Sequence, residues 1–444
     1  MKYKYILILA SILILSCGKD QKNMDSIFST NIIKSQFFKI NVNFDTTLIT
    51  DGQVIVEIEK NTFKSNGSSE LVELEIKEIL TKRDIVTSGL NTLSNEGNIL
   101  ESGGMIFLDV QPEQDKEFEK EIRLKIPTSA INLDMGQFML SDFEEKGKRW
   151  KKEKDIIASS ITNRIRSGRE DYINNCTSCH SKNLRADLTG PALGNIHLFR
   201  TKEWFVEFTK NSQLMIVNED SLALCLWNSW KPSLMNSFEG ILTDEEISDI
   251  YMFLANESII QSIDTNEVEY ILGCKTEIRG DPDDPNDNYE HEYIEKTNQE
   301  IKRRIILKNP WDNLTTGLNY ELRTNKIGWR NLDCFLNPDS IETKKVEPFK
   351  MYVECPEENE NETVLIIFKE RNVVIPAYSD GIIYKASWNE NVLLPEEEVY
   401  LVGVSEGEKY WFGYKEIKIG EKNSYVLELK ESTRKEIRSF INNL

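Results

Sequence analysis

The first third of the chain alternates apolar and polar residues with a period of two, which is the pattern of half-buried β-strands. Clusters of Gly, Asn and Ser, such as Ser65-Asn66-Gly67-Ser68, separate the apolar runs. The alternating positions form five groups: Ile40, Val42 and Phe44; Val54, Val56 and Ile58; Val72, Leu74 and Ile76; Ile106, Leu108 and Val110; and Ile122, Leu124 and Ile126. Short strands separated by turns favour a β-sandwich, which we place at residues 36–150. It shows no catalytic constellation, so a structural role is favoured over a binding role.

The pattern changes to the helical period of 3.6 residues near Ile156 and keeps it to about Asn256. Thr243, followed three residues later by Glu246, predicts the capped start of the last helix of this region. The apolar residues of that helix share one face: Ile247, Ile250, Tyr251 and Leu254. The middle of the chain is therefore expected to form a helical domain at residues 160–258.

Strand patterns return in the last third of the chain and predict a C-terminal β-rich domain at residues 301–444, again sandwich-like. Its final residues, Ser432 to Leu444, have the pattern of a short amphipathic helix. Trp329 and the other C-terminal aromatics could line a binding face, although a buried core is the commoner role. The alternating strand positions are Val364, Ile366 and Phe368, and then Tyr400, Val402 and Val404.

Residues 259–300 are expected to form a linker region between these two domains. They include the acidic, proline-bearing segment Gly280–Asn288. Its carboxylates could in principle hold calcium. However, its prolines disturb the regular ligand spacing of a calcium loop, which favours a solvated linker.

The N-terminal residues carry the features of an export signal. Lys2 and Lys4 precede an apolar run from Ile6 to Leu15, which is too short to span a bilayer as a mature helix. The run ends on Ile14-Leu15-Ser16-Cys17. This stretch resembles a bacterial lipoprotein signal, which implies a signal peptide at residues 1–16, lipidation of Cys17 and a polar tether at residues 17–35. An ordinary secretory signal or a short membrane anchor is the alternative.

The chain is strongly acidic, with a formal charge of −20 at pH 7. Binding of nucleic-acid phosphates requires a basic surface, so nucleic acid is not an expected partner. With the lipoprotein signal, we expect an extracytoplasmic protein that is lipid-anchored to the bacterial cell envelope, at the periplasmic face or the cell surface.

Two cysteines followed directly by a histidine lie in the middle of the helical region, in Cys176-Thr177-Ser178-Cys179-His180. This spacing is typical of a c-type haem attachment site, where each thiol adds to one vinyl group of the ring. His180 would then be an axial ligand of the iron. A bare Cys-x-x-Cys would also suit a zinc or redox site, but the adjacent histidine favours one covalently attached haem c.

A haem that moves electrons needs a second axial ligand, for which methionine and histidine are the candidates. The chain has three histidines in all. His197 lies close to His180 along the chain and His291 lies beyond the acidic segment, so neither is well placed. Met235 is better placed, because it lies in a loop immediately before the last helix of the region. Met215 is the rival, although apolar packing is the common role of a methionine.

Four of the seven cysteines remain after Cys17 and the attachment pair are assigned: Cys225, Cys274, Cys334 and Cys355. In an oxidising compartment they could form two disulfides in three possible pairings, and the sequence leaves the pairing open. Cys225 lies within the helical domain, where a buried apolar role is the alternative.

Together these features resemble a class I, single-haem cytochrome c domain over about residues 160–258. The matching positions are Gly168, Tyr172, the attachment motif, Gly190-Pro191, Trp204 to Met215, Met235 before Phe238, and Leu242 to Glu246. The resemblance implies a compact all-α fold with haem in a cleft, attached through Cys176 and Cys179, with His180 proximal and Met235 distal. It also implies that the carbonyl of Pro191 accepts the histidine N–H.

The expected function is electron transfer through one haem in an extracytoplasmic lipoprotein. A redox protein would be the donor or acceptor, and the lipid on Cys17 would make the membrane contact. No substrate chemistry is expected, since a bacterial di-haem peroxidase needs two attachment motifs and this chain has one. The alternative is a cell-surface binding or structural lipoprotein whose haem module is accessory or sensory, because the β-rich regions make up most of the chain.

Overall fold

The computed structural model describes residues 27–64, 70–111, 117–143, 147–155, 159–230, 232–264, 318–336, 343–345, 350–355, 362–380, 383–386, 388, 393–395 and 397–444. The expected signal peptide, Cys17, Cys274, His291 and the acidic segment Gly280–Asn288 lie outside these residues. Within them the chain is multidomain, with a helical domain flanked by β-rich regions, which confirms the expected fold class.

Two facing sheets form the expected sandwich, and its apolar side chains alternate as the sequence predicts. The buried positions include Ile40, Leu74, Leu108 and Leu124, while Phe44 lies in the turn after the first strand and is 66% exposed. A short helix, α1 (Lys82–Ser88), follows the fourth strand. The strands are β1 (Ser35–Asn41), β2 (Thr46–Ile49), β3 (Ile55–Ile58), β4 (Leu71–Ile79), β5 (Leu100–Gln111), β6 (Glu117–Pro127), β7 (Gly136–Phe143) and β8 (Gly147–Asp155).

Two further strands of the sandwich follow the helical domain in the chain: β9 (Asn319–Lys326) and β10 (Gly328–Phe335). β9 completes a four-stranded sheet in the order β2-β3-β6-β9, and β10 lies between β5 and β7 in the six-stranded sheet β1-β4-β5-β10-β7-β8. The helical domain is thus inserted within the sandwich. The expected C-terminal domain at residues 301–444 therefore needs correction at its start, because pairing between distant strands leaves no mark on local periodicity.

The inserted domain contains α2 (Ser160–Asn175), α3 (Ile196–Phe199), α4 (Lys202–Val217), α5 (Ser221–Trp230) and α6 (Asp244–Ile260). The predicted capping box opens α6, with Thr243 Oγ1 accepting the N–H of Glu246 at 3.2 Å and the Glu246 carboxylate accepting the N–H of Thr243 at 2.7 Å. α2 crosses α6 at Gly168, where a Cβ atom would lie 2.0 Å from the carbonyl oxygen of Asp249. Only a residue without a side chain permits this approach.

Most of the remaining strands form one sheet that closes on itself, in place of a second pair of facing sheets. Its order is β19-β12-β15-β14-β13-β17-β18-β20, and β11 pairs with β16 separately. Leu429 alone separates β19 from β20, so this stretch pairs first with β12 and then with β18. The strands are β11 (Thr343–Lys345), β12 (Lys350–Glu354), β13 (Glu362–Phe368), β14 (Val374–Asp380), β15 (Ile383–Ala386), β16 (Leu393–Pro395), β17 (Glu398–Glu406), β18 (Tyr410–Lys418), β19 (Ser424–Glu428) and β20 (Lys430–Ser432).

The closed sheet is buried on both faces at β13 and β17. One face surrounds a core that includes Ile366 and Leu401. The other face packs Ile367 and Val402 in one apolar cluster with Trp329 of the six-stranded sheet, so this tryptophan belongs to the core. The closed sheet therefore packs against the six-stranded sheet.

The C-terminal helix α7 (Arg434–Asn442) buries Ile437 and Ile441, as its amphipathic pattern predicts. The expected tether at residues 17–35 needs correction at its end, because Ile27 is fully buried in one apolar cluster with Ile437 and Ile441. The N–H of Ile27 donates to Glu406 Oε1 at 3.1 Å, and Arg438 Nη2 donates to the carbonyl of Ile27 at 3.2 Å. Among the described helices, none combines the length and the apolar character needed to cross a bilayer.

Candidate functional site

The attachment motif forms the tight turn that ends α2. The N–H of Cys176 donates to the carbonyl of Tyr172 at 2.9 Å, and the N–H of His180 donates to the carbonyl of Cys176 at 2.9 Å. The hydroxyl of Tyr172 closes the turn by donating to the carbonyl of Ser181 at 2.8 Å. Cys176 is buried and Cys179 is exposed. Burial raises the pKa of the Cys176 thiol to about 12, so the thiol is neutral.

The imidazole of His180 is buried and fixed in one orientation. Its Nδ1 donates to the carbonyl oxygen of Pro191 at 2.8 Å, which leaves Nε2 with the lone pair that can bind a metal. Gly190 makes room for the ring, since a Cβ atom there would lie 2.7 Å from His180 Cε1. Burial lowers the pKa of His180, and a neutral imidazole is the form that ligates metals. Pro191 thus makes the contact that the resemblance implies.

His180 borders a cavity of about 360 Å³ inside the helical domain. Its wall is mostly apolar and includes Phe205, Phe208, Leu226, Ile250 and Leu254. Met235 also lies in the wall, whereas the rival Met215 and the buried His197 do not. The structure therefore places all five sequence-predicted haem residues around one cavity: Cys176, Cys179, His180, Pro191 and Met235.

Met235 lies on a loop that is bonded to a break in α4. Asn211 has the non-helical angles φ −152° and ψ 81°, so the carbonyl of Lys210 loses its partner within the helix. That carbonyl accepts instead from Ser237 Oγ at 2.7 Å and from two loop N–H groups at 3.0 and 3.1 Å. The hydroxyl of Ser212 donates to the carbonyl of Met235 at 3.1 Å. The break in α4 thus fixes the position of the methionine loop.

Two residues that the sequence pattern does not single out, Arg200 and Asp220, act together with Trp204 at this cavity. Arg200 is a buried cation in the wall, with its guanidinium carbon 5.2 Å from the ring centre of Trp204. Trp204 Nε1 donates to Asp220 Oδ1 at 3.2 Å, and the same oxygen accepts the N–H of Ala223 at 2.9 Å, which caps α5. An aspartate just before an apolar helical run is a start signal, so Asp220 could have been found. Nothing in the local sequence marks Arg200 as buried.

The four remaining cysteines do not form the two disulfides that the sequence left possible. Cys334 and Cys355 are free thiols, and Cys225 on α5 is disulfide-bonded rather than simply buried. Cys334 packs in the sandwich core, where Asn132 Nδ2 donates to its sulfur at 3.3 Å. Cys334 is therefore packed as a small apolar residue of the core.

A zinc site at the cysteine pair finds no support in the residues that the structure describes. They contain no group of three or more His, Cys, Asp or Glu side chains arranged to hold a metal ion. A structural zinc ion takes four such ligands, so the pair fits ring attachment better.

Comparison with known families agrees with this geometry. Residues 165–258 match the model of the cytochrome c family. The match runs from within α2 almost to the end of α6 and includes the attachment motif, Pro191 and Met235. No curated protein and no solved structure is detectably similar to the chain. The family implies haem binding and electron transfer for this part of the chain, and it says nothing about the β-rich regions.

Proposed function

Since residues 165–258 form a cytochrome c domain, we propose that the protein carries single electrons through one haem c attached at Cys176 and Cys179. One observation carries the proposal. The imidazole of His180 and the thioether of Met235 border the same apolar cavity, beside both thiols. Histidine and methionine are the axial pair of electron-transferring c-type haems, and this pair raises the reduction potential.

The residues around the cavity fit a haem. The apolar wall suits the porphyrin, and His180 Nε2 would be the first axial ligand with Met235 as the second. Burial lowers the pKa of Arg200 only to about 10, so it remains a cation at neutral pH. A positive charge in the wall favours an anionic group in the cavity, and the two propionates of a haem are anions. The bound haem would supply an iron that alternates between the ferric and ferrous states.

The chain's own residues set the properties of this carrier. Pro191 orients the imidazole, and the carbonyl of Lys210 fixes the loop that carries Met235. The apolar side chains of the wall would keep water away from a bound ring, which would disfavour the more highly charged ferric state and raise the potential. No side chain here has to make or break a substrate bond.

We also propose that the protein acts outside the cytoplasm, anchored by lipid on Cys17. The basic residues, the short apolar run and the cysteine after Ser16 support this location. A haem near the surface would exchange electrons with a soluble or membrane-bound redox protein through a small, transient interface.

Absorbance spectra of the oxidised and reduced full-length protein, together with the mass of the haem-bearing peptide, test the proposal. We expect one haem on the peptide that contains Cys176 and Cys179, with low-spin, six-coordinate ferric iron. Met235→Ala should give high-spin ferric haem and a lower reduction potential, because the thioether ligand is lost. Met215→Ala is the matched control and should keep the low-spin spectrum.

Two outcomes would contradict the proposal. The first is porphyrin that is released freely by acid extraction, since a covalent attachment resists that treatment. The second is high-spin haem in the native wild-type protein, because an open iron position indicates ligand binding rather than electron transfer. A low-spin spectrum in Met235→Ala would assign the second ligand to a different residue.

A further inference from the structure

Strand β10 is a central strand of the six-stranded sheet, yet it follows the helical domain in the chain. Asn331 lies opposite Met105 of β5 on one side and opposite Phe138 of β7 on the other. The strand is buried along most of its length. β10 is what pairs the β7–β8 hairpin with β5. The sheet is therefore complete only after the chain has passed through the inserted domain.

The loop between β6 and β7 of the sandwich is hydrogen-bonded both by the inserted domain and by the strand that follows it. The side-chain amide of Asn256, on α6, accepts from the N–H of Ile131 at 2.7 Å and donates to its carbonyl at 2.9 Å. The hydroxyl of Tyr320, on β9, accepts from the N–H of Asn132 at 2.6 Å and donates to the carbonyl of Ala130 at 3.1 Å. Asn256 is 2% exposed, so its removal would leave buried peptide groups without partners.

The apolar cores of the two domains are continuous. Ile250 and Leu254 of α6 line the cavity, and they belong to one buried cluster with Leu322 of β9 and Leu332 of β10. An apolar cavity of about 360 Å³ is costly to keep when nothing fills it. A ring that fills the cavity therefore stabilises α6, and α6 in turn supports the sandwich loop and core.

We propose that haem loading of the helical domain and completion of the β-sandwich are one cooperative folding step. This inference rests on the haem attachment proposed above. In a chain that has not received haem, β10 would not be inserted between β5 and β7. The β7–β8 hairpin would then not be joined to β5. A complete sandwich would then distinguish the chain that carries haem. A chain without haem would expose strand edges to proteases.

Hydrogen exchange on the full-length protein tests the coupling without any measurement of electron transfer. The double variant Cys176→Ala/Cys179→Ala prevents attachment, and Cys355→Ala is the matched control because that free cysteine lies outside the haem loop. We expect amides in β5, β7 and β10 to exchange at least about tenfold faster in the double variant, because the sheet opens. Exchange in Cys355→Ala should equal that of the wild type.

A second comparison keeps the haem and weakens the contact between the domains. Asn256→Ala removes both bonds to Ile131, whereas Asn163→Ala changes an exposed residue of α2 and serves as its control. Asn256→Ala should keep the haem spectrum of the wild type and speed exchange in the β6–β7 loop and in β10. Asn163→Ala should change neither.

Two results separate the inference from the proposed function. Wild-type protection of β5, β7 and β10 in the double variant would overturn the coupling, even if the wild type carries haem. A wild type without covalent haem would overturn the proposed function, and the Asn256 comparison would still decide whether α6 stabilises the sandwich. Unchanged exchange in Asn256→Ala would then count against the coupling.

Discussion

At the scale of single residues, the haem site depends on backbone carbonyls as much as on the side chains of the motif. The carbonyl of Pro191 fixes the imidazole, and the carbonyl of Lys210 fixes the loop of Met235. Gly190 acts by having no side chain, which leaves space for His180. The ligand side chains are therefore held by groups that are present in every residue type, and their placement depends on the local backbone path.

Asp220 is expected to stabilise the wall of the cavity, because one oxygen both caps α5 and accepts from Trp204. Asp220→Ala should lower the free energy of unfolding by about 1 kcal/mol, because the cap of α5 is lost. It should also expose the haem ring to water, which lowers the reduction potential. Thermal unfolding and potentiometry measure the two effects. Asp220→Asn keeps the accepting oxygen and should stay close to the wild-type stability. Equal stability of the alanine variant and the wild type would contradict this role.

Asp333 should make stability depend on pH. It is fully buried in β10, where Asn331 donates to its carboxyl group, and burial raises its pKa well above the ordinary value. The unfolded chain loses this proton near pH 4 and the folded chain keeps it, so unfolding releases a proton above that pH. The free energy of unfolding should therefore fall as pH rises, by up to about 1.4 kcal/mol per pH unit, until the folded pKa is reached.

Urea unfolding at a series of pH values measures this contribution. Asp333→Asn keeps the polar shape without the ionisable group, so its free energy of unfolding should fall less steeply with pH than that of the wild type. Glu408→Gln, at an exposed position between β17 and β18, is the control and should keep the wild-type slope. Parallel curves for the wild type and Asp333→Asn would show that Asp333 titrates alike in both states.

At the scale of elements, the crossing of α2 over α6 determines the shape of the haem domain. Gly168→Ala would put a methyl group 2.0 Å from the carbonyl oxygen of Asp249, so the helices must separate. We expect a loss of about 1–3 kcal/mol or more in the free energy of unfolding, measured by chemical denaturation. Ser167→Ala, at the exposed neighbouring position, should be within about 0.5 kcal/mol of the wild type. Equal stability of both variants would exclude a tight crossing.

The sequence predicts individual elements better than their pairing. Period-two patterns locate β1, β3 to β6, β13 and β17, because a strand with one buried face alternates apolar and polar residues. β10 escapes this reasoning, since Arg330, Asn331 and Asp333 are all buried in it. A strand with buried polar residues looks like an exposed one in the sequence, and its place in the sheet depends on partners more than 180 residues away.

The candidate site shows the same division between local and distant information. Spacing alone identifies Cys176, Cys179 and His180, because ring attachment is a property of five consecutive residues. Met235 follows from its place before a capped helix. The burial of Arg200 results from the packing of several helices around the cavity, which no local pattern encodes.

At the scale of the whole molecule, the lipid anchor proposed at Cys17 would determine where the protein works. Cys17→Ser should remove the acylation site, so the protein should move from the membrane fraction to the soluble extracytoplasmic fraction. Cell fractionation with immunodetection measures this change, and mass spectrometry of the N-terminal peptide identifies the lipid. Cys355→Ser is the control and should stay in the membrane fraction. Persistence of Cys17→Ser in the membrane fraction would contradict lipidation at this residue.

The bonds that Ile27 makes to Glu406 and Arg438 have a mechanical consequence. Any load applied through the preceding residues reaches β17 and α7 before it reaches β1. Strand β1 lies at the edge of its sheet, and pulling it away from β4 one residue at a time would be the easiest way to tear the sandwich open. Because Ile27 is bonded to distant parts of the chain, several contacts must break together before the load reaches β1. The N-terminal end of the sandwich is therefore resistant to shear.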